Sequence, residues 1–226
     1  LQLTKSSAVQ YTRTLLTLLA SGRSPARMFL AGLQRKAAAD PIKQTRSMKR
    51  WEADLFSNML TSENGRVALR LAWVTASRWG EIALLQKENF IPHPQHKEAL
   101  IVDWGALPKT FKIDPHRAAR YVVIGGEDAK RVRGVTTGMV EGERLTTLTT
   151  RDMENLLRPF GMTVHSIKRG TLAHAGAAVI EHDLDPRLLA QLGKHADPLE
   201  LPRSTARYIG PWVALVNKSA HLTAHM

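Results

Sequence analysis

The chain contains no cysteine. Disulfides, thiolate catalysis and zinc ribbons are therefore excluded, and a reducing compartment is permitted. No apolar run approaches the roughly 20 residues of a membrane span. The nearest, Leu15 to Ala20, is too short and is flanked by basic residues. A glycine-rich loop ending in Lys-Ser/Thr is missing, which removes nucleotide hydrolysis. The nine histidines form no His-Glu-x-x-His pair, and His93-Pro94-Gln95-His96 falls in a proline-broken loop. Metal hydrolysis therefore has no support. Acidic residues are scarce at one end, where Asp40 is the sole acid among residues 1–50.

Against that single acid stand ten bases: Lys5, Arg13, Arg23, Arg27, Arg35, Lys36, Lys43, Arg46, Lys49 and Arg50. This stretch alone carries +9 of the formal net charge of +12. A phosphate backbone attracts such a block, because each neutralised phosphate releases condensed counterion. The bases are interleaved with helix-forming apolar residues, which places them in folded structure rather than in a solvated tail. With 43% hydrophobic and 23% charged residues in 226, the composition is that of a globular protein. The length admits one large domain, or a small one and a medium one.

Periodicity predicts a mostly helical protein. Residues 4–20 and 26–39 read as two amphipathic helices separated by Gly22 to Pro25, with a basic connector from Asp40-Pro41 onward. Further helices are predicted at 51–59, 66–75, after Ala76-Ser77, at 152–158 and at 166–180. Another is punctuated by Asp185, Pro186 and Gly193, and a last one carries Tyr208. Strands are predicted only at 99–104 and 120–124, while 125–150 reads as loop and short pieces. The fold class is mainly α with a small antiparallel sheet. Residues 1–47 form a short basic helical domain with its linker, and residues 48–226 form the second domain.

Several short strings carry chemistry. Thr75-Ala76-Ser77-Arg78-Trp79-Gly80-Glu81 sets an arginine at a helix junction with a glutamate three residues on. A guanidinium offers a planar donor fork to two phosphate oxygens. Taken alone, Arg78 and Glu81 also read as a surface ion pair at i, i+3. His165-Ser166-Ile167-Lys168-Arg169-Gly170 is a basic, His-containing box, and Leu192-Gly193-Lys194-His195 sets a second histidine just past a glycine. Of the three tyrosines, Tyr11, Tyr121 and Tyr208, only Tyr208 follows both boxes on a basic segment, Thr205-Ala206-Arg207-Tyr208. Phenols become nucleophiles when cationic neighbours favour the phenolate.

In their order along the chain these strings resemble the catalytic set of the tyrosine recombinases, the phage-integrase-like enzymes of DNA strand exchange. The resemblance covers roughly residues 48–210, and residues 1–47 look like a shortened form of that family's DNA-clamping helical domain. It implies a DNA breaking-rejoining catalytic domain with Tyr208 as nucleophile and Arg78, His165, Lys168 and His195 around the phosphate. Lys109, between the two predicted strands, would protonate the leaving oxygen, with Lys112 as a rival. Arg169, Lys194, Arg207, Lys43, Arg46 and Arg50 would bind DNA. Two departures stand out. Lys168 occupies the place of the family's second arginine, and an ammonium lacks the bidentate fork. Arg169 is the other candidate for that fork, but a helix turns about 100° per residue, so the two cannot face one phosphate equally. The interval from His195 to Tyr208 also exceeds the family's usual one, the surplus falling in a loop with Pro198 and Pro202.

The resemblance further implies double-stranded DNA as partner, a homo-oligomer (a tetramer) assembled on it, no cofactor and no membrane. The strings around His165 and Gly193 are similar to recombinases of eukaryotic mobile elements, which implies a nuclear location; a prokaryotic source implies the cytoplasm, and secretion is not expected. The apolar run Trp212 to Val216 docks either on a neighbour in trans or on its own core. The competing reading is a catalytically inactive, DNA-binding relic of such an element.

Overall fold

In a computed structural model of the chain, the structure describes residues 5–18, 23–39, 45–105, 121–185 and 187–193. The chain divides into two compact units, residues 1–44 and 45–226. The first consists, as described, of α1 (Lys5–Leu18) and α2 (Arg23–Ala39), packed on each other.

The second unit is built around α4 (Glu63–Val74), which packs against α3 (Arg50–Met59), α6 (Gly126–Thr136) and α8 (Val164–Glu181). Val67, Ala68, Leu69, Leu71, Ala72 and Trp73 are all buried, so α4 is covered on nearly every side. Only its polar residues Glu63, Asn64, Arg66 and Arg70, with Val74, keep part of their surface, as befits a helix near the centre of the fold. Ser62 starts α4 by accepting the Gly65 amide at 3.1 Å, and Thr149 starts α7 (Thr150–Leu157) through a reciprocal capping box with Asp152. Both satisfy amides that a helix end leaves without intrahelical partners.

A three-stranded antiparallel sheet lies beside the helices, with β1 (Phe90–Pro92), β2 (Leu100–Asp103) and β3 (Tyr121–Ile124) in sequential order. Phe90 pairs with Val102 and Ile101 with Val123. In this register Leu100 and Val102 of the middle strand turn into the core together, as the two-residue period of a strand requires.

Two elements differ from the sequence-based expectation. β1 adds a third strand that is only three residues long, too short for alternation to show. α6 occupies a segment read as loop, because Gly125, Gly126 and Gly134 and several β-branched residues lower its helix propensity. Tertiary packing holds it instead: Ala129 and Val132 are buried, and Arg70 on α4 grips Asp128 through two hydrogen bonds of 2.7 and 3.2 Å. That fork raises the Arg70 guanidinium pKa above its ordinary value, Asp128 being the main cause.

Candidate active site

Arg78 is placed by the way α4 ends. Thr75 caps the helix, and Ala76 follows with φ of 46°, the left-handed conformation that closes a helix through two backbone bonds. Both bonds are present, from Ala76 N to Trp73 O at 3.3 Å and from Ser77 N to Ala72 O at 3.1 Å. Glycine is the usual residue there, but this turn carries Ala76, which is fully buried. The Thr75 and Ser77 hydroxyls bond each other at 2.6 Å and pin the turn from inside.

The turn delivers Arg78 as the N-cap of α5, the single turn Trp79–Ile82. Glu81 then holds it twice. One carboxylate oxygen accepts the Arg78 backbone amide at 3.1 Å, and the other accepts Nη1 at 2.9 Å. The Glu81 side chain is only 7% exposed against 39% for Arg78, so a sunken carboxylate aims a guanidinium that still reaches solvent. Trp79, fully buried, anchors the turn by donating Nε1 to the Leu148 carbonyl at 3.1 Å.

The basic box opens α8. Thr163 is its N-cap, with the Ser166 hydroxyl accepting the Thr163 amide at 3.1 Å. Glu154 on α7 accepts the Val164 amide at 3.2 Å. His165 stands exposed in the first turn, where the positive end of the helix dipole favours anions. Lys168 is 9% exposed, and its Nζ donates to the Gly193 carbonyl at 2.7 Å. Gly193 is itself buried, just past α9 (Arg187–Leu192). A buried ammonium thus ties the His165 helix to the glycine that precedes Lys194 and His195.

Arg169 turns elsewhere. Its Nη2 donates to the Thr45 hydroxyl and its Nε to the His165 carbonyl at 3.5 Å. The divergence of Lys168 and Arg169 follows from the 100° step between successive helical residues. Thr45 carries no sequence signal of its own. Glu52 was legible only as a first-turn acid: buried, it accepts the Lys49 amide at 2.7 Å and Arg46 Nη1 at 2.8 Å. Arg46 also donates Nε to the Phe160 carbonyl at 3.3 Å, so this expected DNA contact is half-committed within the chain. Arg50 is exposed at the start of α3.

The structure therefore joins the His165 box directly to Gly193, and carries Arg78 on the α4–α5 junction of a helix that packs against α8. Lys43, Lys109, Lys112, Lys194, His195, Arg207, Tyr208 and the Trp212 to Val216 run lie outside the described residues. Among the described residues, no three His, Asp or Glu side chains converge to hold a metal ion. No helix among them is long and apolar enough to cross a membrane.

No protein-family model matches the chain, and no curated protein matches it in sequence. Solved structures do match in fold. The transposon Tn1549 integrase (residues 82–397), in complex with circular intermediate DNA, superposes with a TM-score of 0.50 at 10% identity. The match covers 92% of this chain and 81% of that one. A substituted form of the same integrase on transposon right-end DNA gives 0.51 at 10% identity, over 98% and 86%. The chain shares its fold with these integrase structures. The mainly helical architecture with its small antiparallel sheet is accounted for by that likeness, which at 10% identity speaks for fold alone.

Proposed function

We propose that the chain is a tyrosine recombinase that cleaves and rejoins double-stranded DNA through a 3′-phosphotyrosyl intermediate. The observation that carries this reading is the 2.7 Å bond from Lys168 Nζ to Gly193 O. It ties the basic, His-containing box at the start of α8 to Gly193, the residue that precedes Lys194 and His195 in sequence, in a fold like that of the integrase structures.

In this reading the Tyr208 phenolate attacks the scissile phosphorus. The bond from phosphorus to the 5′ oxygen breaks, and Lys109 gives that oxygen its proton. Arg78 supplies the bidentate fork that stabilises the pentacoordinate phosphorane. His165 and His195 donate hydrogen bonds to the non-bridging oxygens. Lys168, held on the Gly193 carbonyl, adds its positive charge beside the phosphate. A 5′ hydroxyl from a partner strand reverses the step. One phosphodiester is exchanged for another, so neither ATP nor a cofactor is needed. Exchange between two duplexes needs several protomers, which makes a tetramer on DNA the expected assembly. Lys43 and the other bases of the N-terminal unit, Arg46 and Arg50 just after it, and the further bases Arg169, Lys194 and Arg207 contact the duplex. The strings around His165 and Gly193 favour a eukaryotic mobile element and a nuclear location; a prokaryotic source places the protein in the cytoplasm.

A second reading is favoured by one specific feature. Lys168 stands where the family has arginine and gives one donor to a carbonyl, as in a DNA-binding relic that has lost strand cleavage.

The test is incubation with nicked suicide duplexes bearing candidate element ends, beside a Tyr208→Phe control. A denaturant-resistant protein–DNA adduct that vanishes in the control is expected. Salt-sensitive binding with no adduct on any end supports the relic, and no binding at all contradicts both readings.

A further inference from the structure

The second unit begins with Thr45–Lys49, a non-helical strap that follows directly on the basic N-terminal unit. This strap is stitched to the start of α8. The Met48 amide donates to the Ser166 carbonyl at 3.0 Å. The Thr45 hydroxyl lies 3.2 Å from that of Thr163 and 3.4 Å from that of Ser166, and it accepts Nη2 of Arg169. Arg46 extends the seam by donating to the Phe160 carbonyl at 3.3 Å. At Gly170 the strap lies flush on the helix, since a Cβ there would sit 2.0 Å from the Met48 carbonyl oxygen. Met48 itself is 2% exposed.

Residues 163, 166, 169 and 170 share one face of the helix. Lys168 lies roughly 160° round from Ser166, on the opposite face, while His165 lies about 100° round, at the edge next to Arg169 one turn on. The strap contacts and Lys168 are thus on different faces of the same two turns, with His165 at the edge between them. A rigid helix converts any slide or roll imposed on the first face into a displacement of the second.

We propose that Arg169 is a positioning residue rather than a phosphate ligand. Locked on Thr45, it fixes the strap to α8 and so sets the aim of His165 and Lys168. The strap is the direct continuation of the unit expected to grip DNA, so the latch couples that grip to the alignment of the site. This inference rests on the recombinase reading and reassigns one of its residues. Its structural half, the latch on α8, stands apart from the chemistry and can be read separately.

The experiment is a double-mutant cycle on the full chain with Thr45→Val, Arg169→Met and the pair, plus Thr45→Ser as the conservative variant. First-order adduct formation at saturating suicide DNA and DNA affinity are measured for each. Each single substitution is expected to slow adduct formation by about 10–100-fold, the scale of a misplacement near 1 Å. Affinity is expected to stay within about threefold, since rates and not phosphate contacts change. The pair should be no slower than the slower single, and Thr45→Ser should restore the rate. A wild-type rate for Thr45→Val overturns the proposal. So do losses that multiply in the pair, or an affinity loss for Arg169→Met. Thr45→Val keeps shape and charge, which guards against a failure of Arg169→Met to fold. Amide hydrogen exchange over Val164 to Lys168 supplies the separate reading. Faster exchange in Thr45→Val supports the latch even where the wild type forms no adduct, an outcome that defeats only the recombinase reading. Unchanged exchange removes the latch itself.

Discussion

Both carboxylate oxygens of Glu81 accept hydrogen bonds from Arg78, one from the side chain and one from the backbone. Such charge-assisted, two-point holding fixes a guanidinium more tightly than a lone surface pair would. The arginine-to-glutamate spacing was legible in the sequence, but on its own it also fitted a solvated helix pair. Burial of Glu81 and the left-handed Ala76 turn set this pair apart from a solvated one, and neither follows from spacing. At this scale, Arg78→Lys keeps the charge and loses the fork. Adduct formation on suicide DNA is expected to fall by about 100-fold, the usual cost of one transition-state donor set. DNA affinity should hold within a few-fold. Equal loss in rate and affinity would make Arg78 an ordinary phosphate contact.

Element by element, α8 shows where sequence reading succeeds and where it stops. Its helical period and its basic box are local, so both were legible. What the box touches is not local: Lys168 reaches Gly193, 25 residues on, and Arg169 reaches Thr45, 124 residues back. Gly170 read as one more residue of the box, yet it is the position where the strap backbone meets the helix. Gly170→Ala must move that backbone, and overpacking of this kind costs about 3 kcal/mol. For a chain of this size that corresponds to a fall of roughly 6–12 °C in Tm. An unchanged melting curve would show that Met48 does not sit on the helix.

The capping box of α7 makes a pH-dependent prediction on the same scale. Hydrogen bonds from the Thr149 hydroxyl and then its amide hold the Asp152 carboxyl below its usual pKa. A depressed folded pKa means that the contribution is present above the unfolded value, near pH 4. It is lost as pH falls through the folded one. Asp152→Asn should therefore lower the thermal midpoint at pH 7, and the gap should start to close as pH falls below about 4 and vanish once it is below the depressed value. A difference that persists at low pH would assign the loss to something other than the charged cap. α6, by contrast, was illegible because its helix-breaking composition is overruled by Arg70 and by burial of Ala129 and Val132. Tertiary contacts of that kind leave no trace in local propensity.

The whole molecule is asymmetric in charge, with +9 of +12 in residues 1–50 and the rest near balance. That asymmetry was plain from composition. If the basic end grips the duplex, DNA affinity should drop by about 1,000-fold or more between 50 and 200 mM salt, as expected for six or more phosphate contacts. A flat salt dependence would remove the basic end from the interface. Steep dependence shared by random-sequence DNA would mark the backbone term that precedes any site recognition.

All of this converges on one covalent bond. The most direct measurement is to digest the protein–DNA adduct and identify the linked peptide and the DNA end by mass spectrometry. A single peptide carrying Tyr208, joined to a 3′ phosphate and leaving a free 5′ hydroxyl on the other strand end, is the predicted result. Attachment through another residue, attachment to a 5′ phosphate, or no attachment on any element end would contradict it.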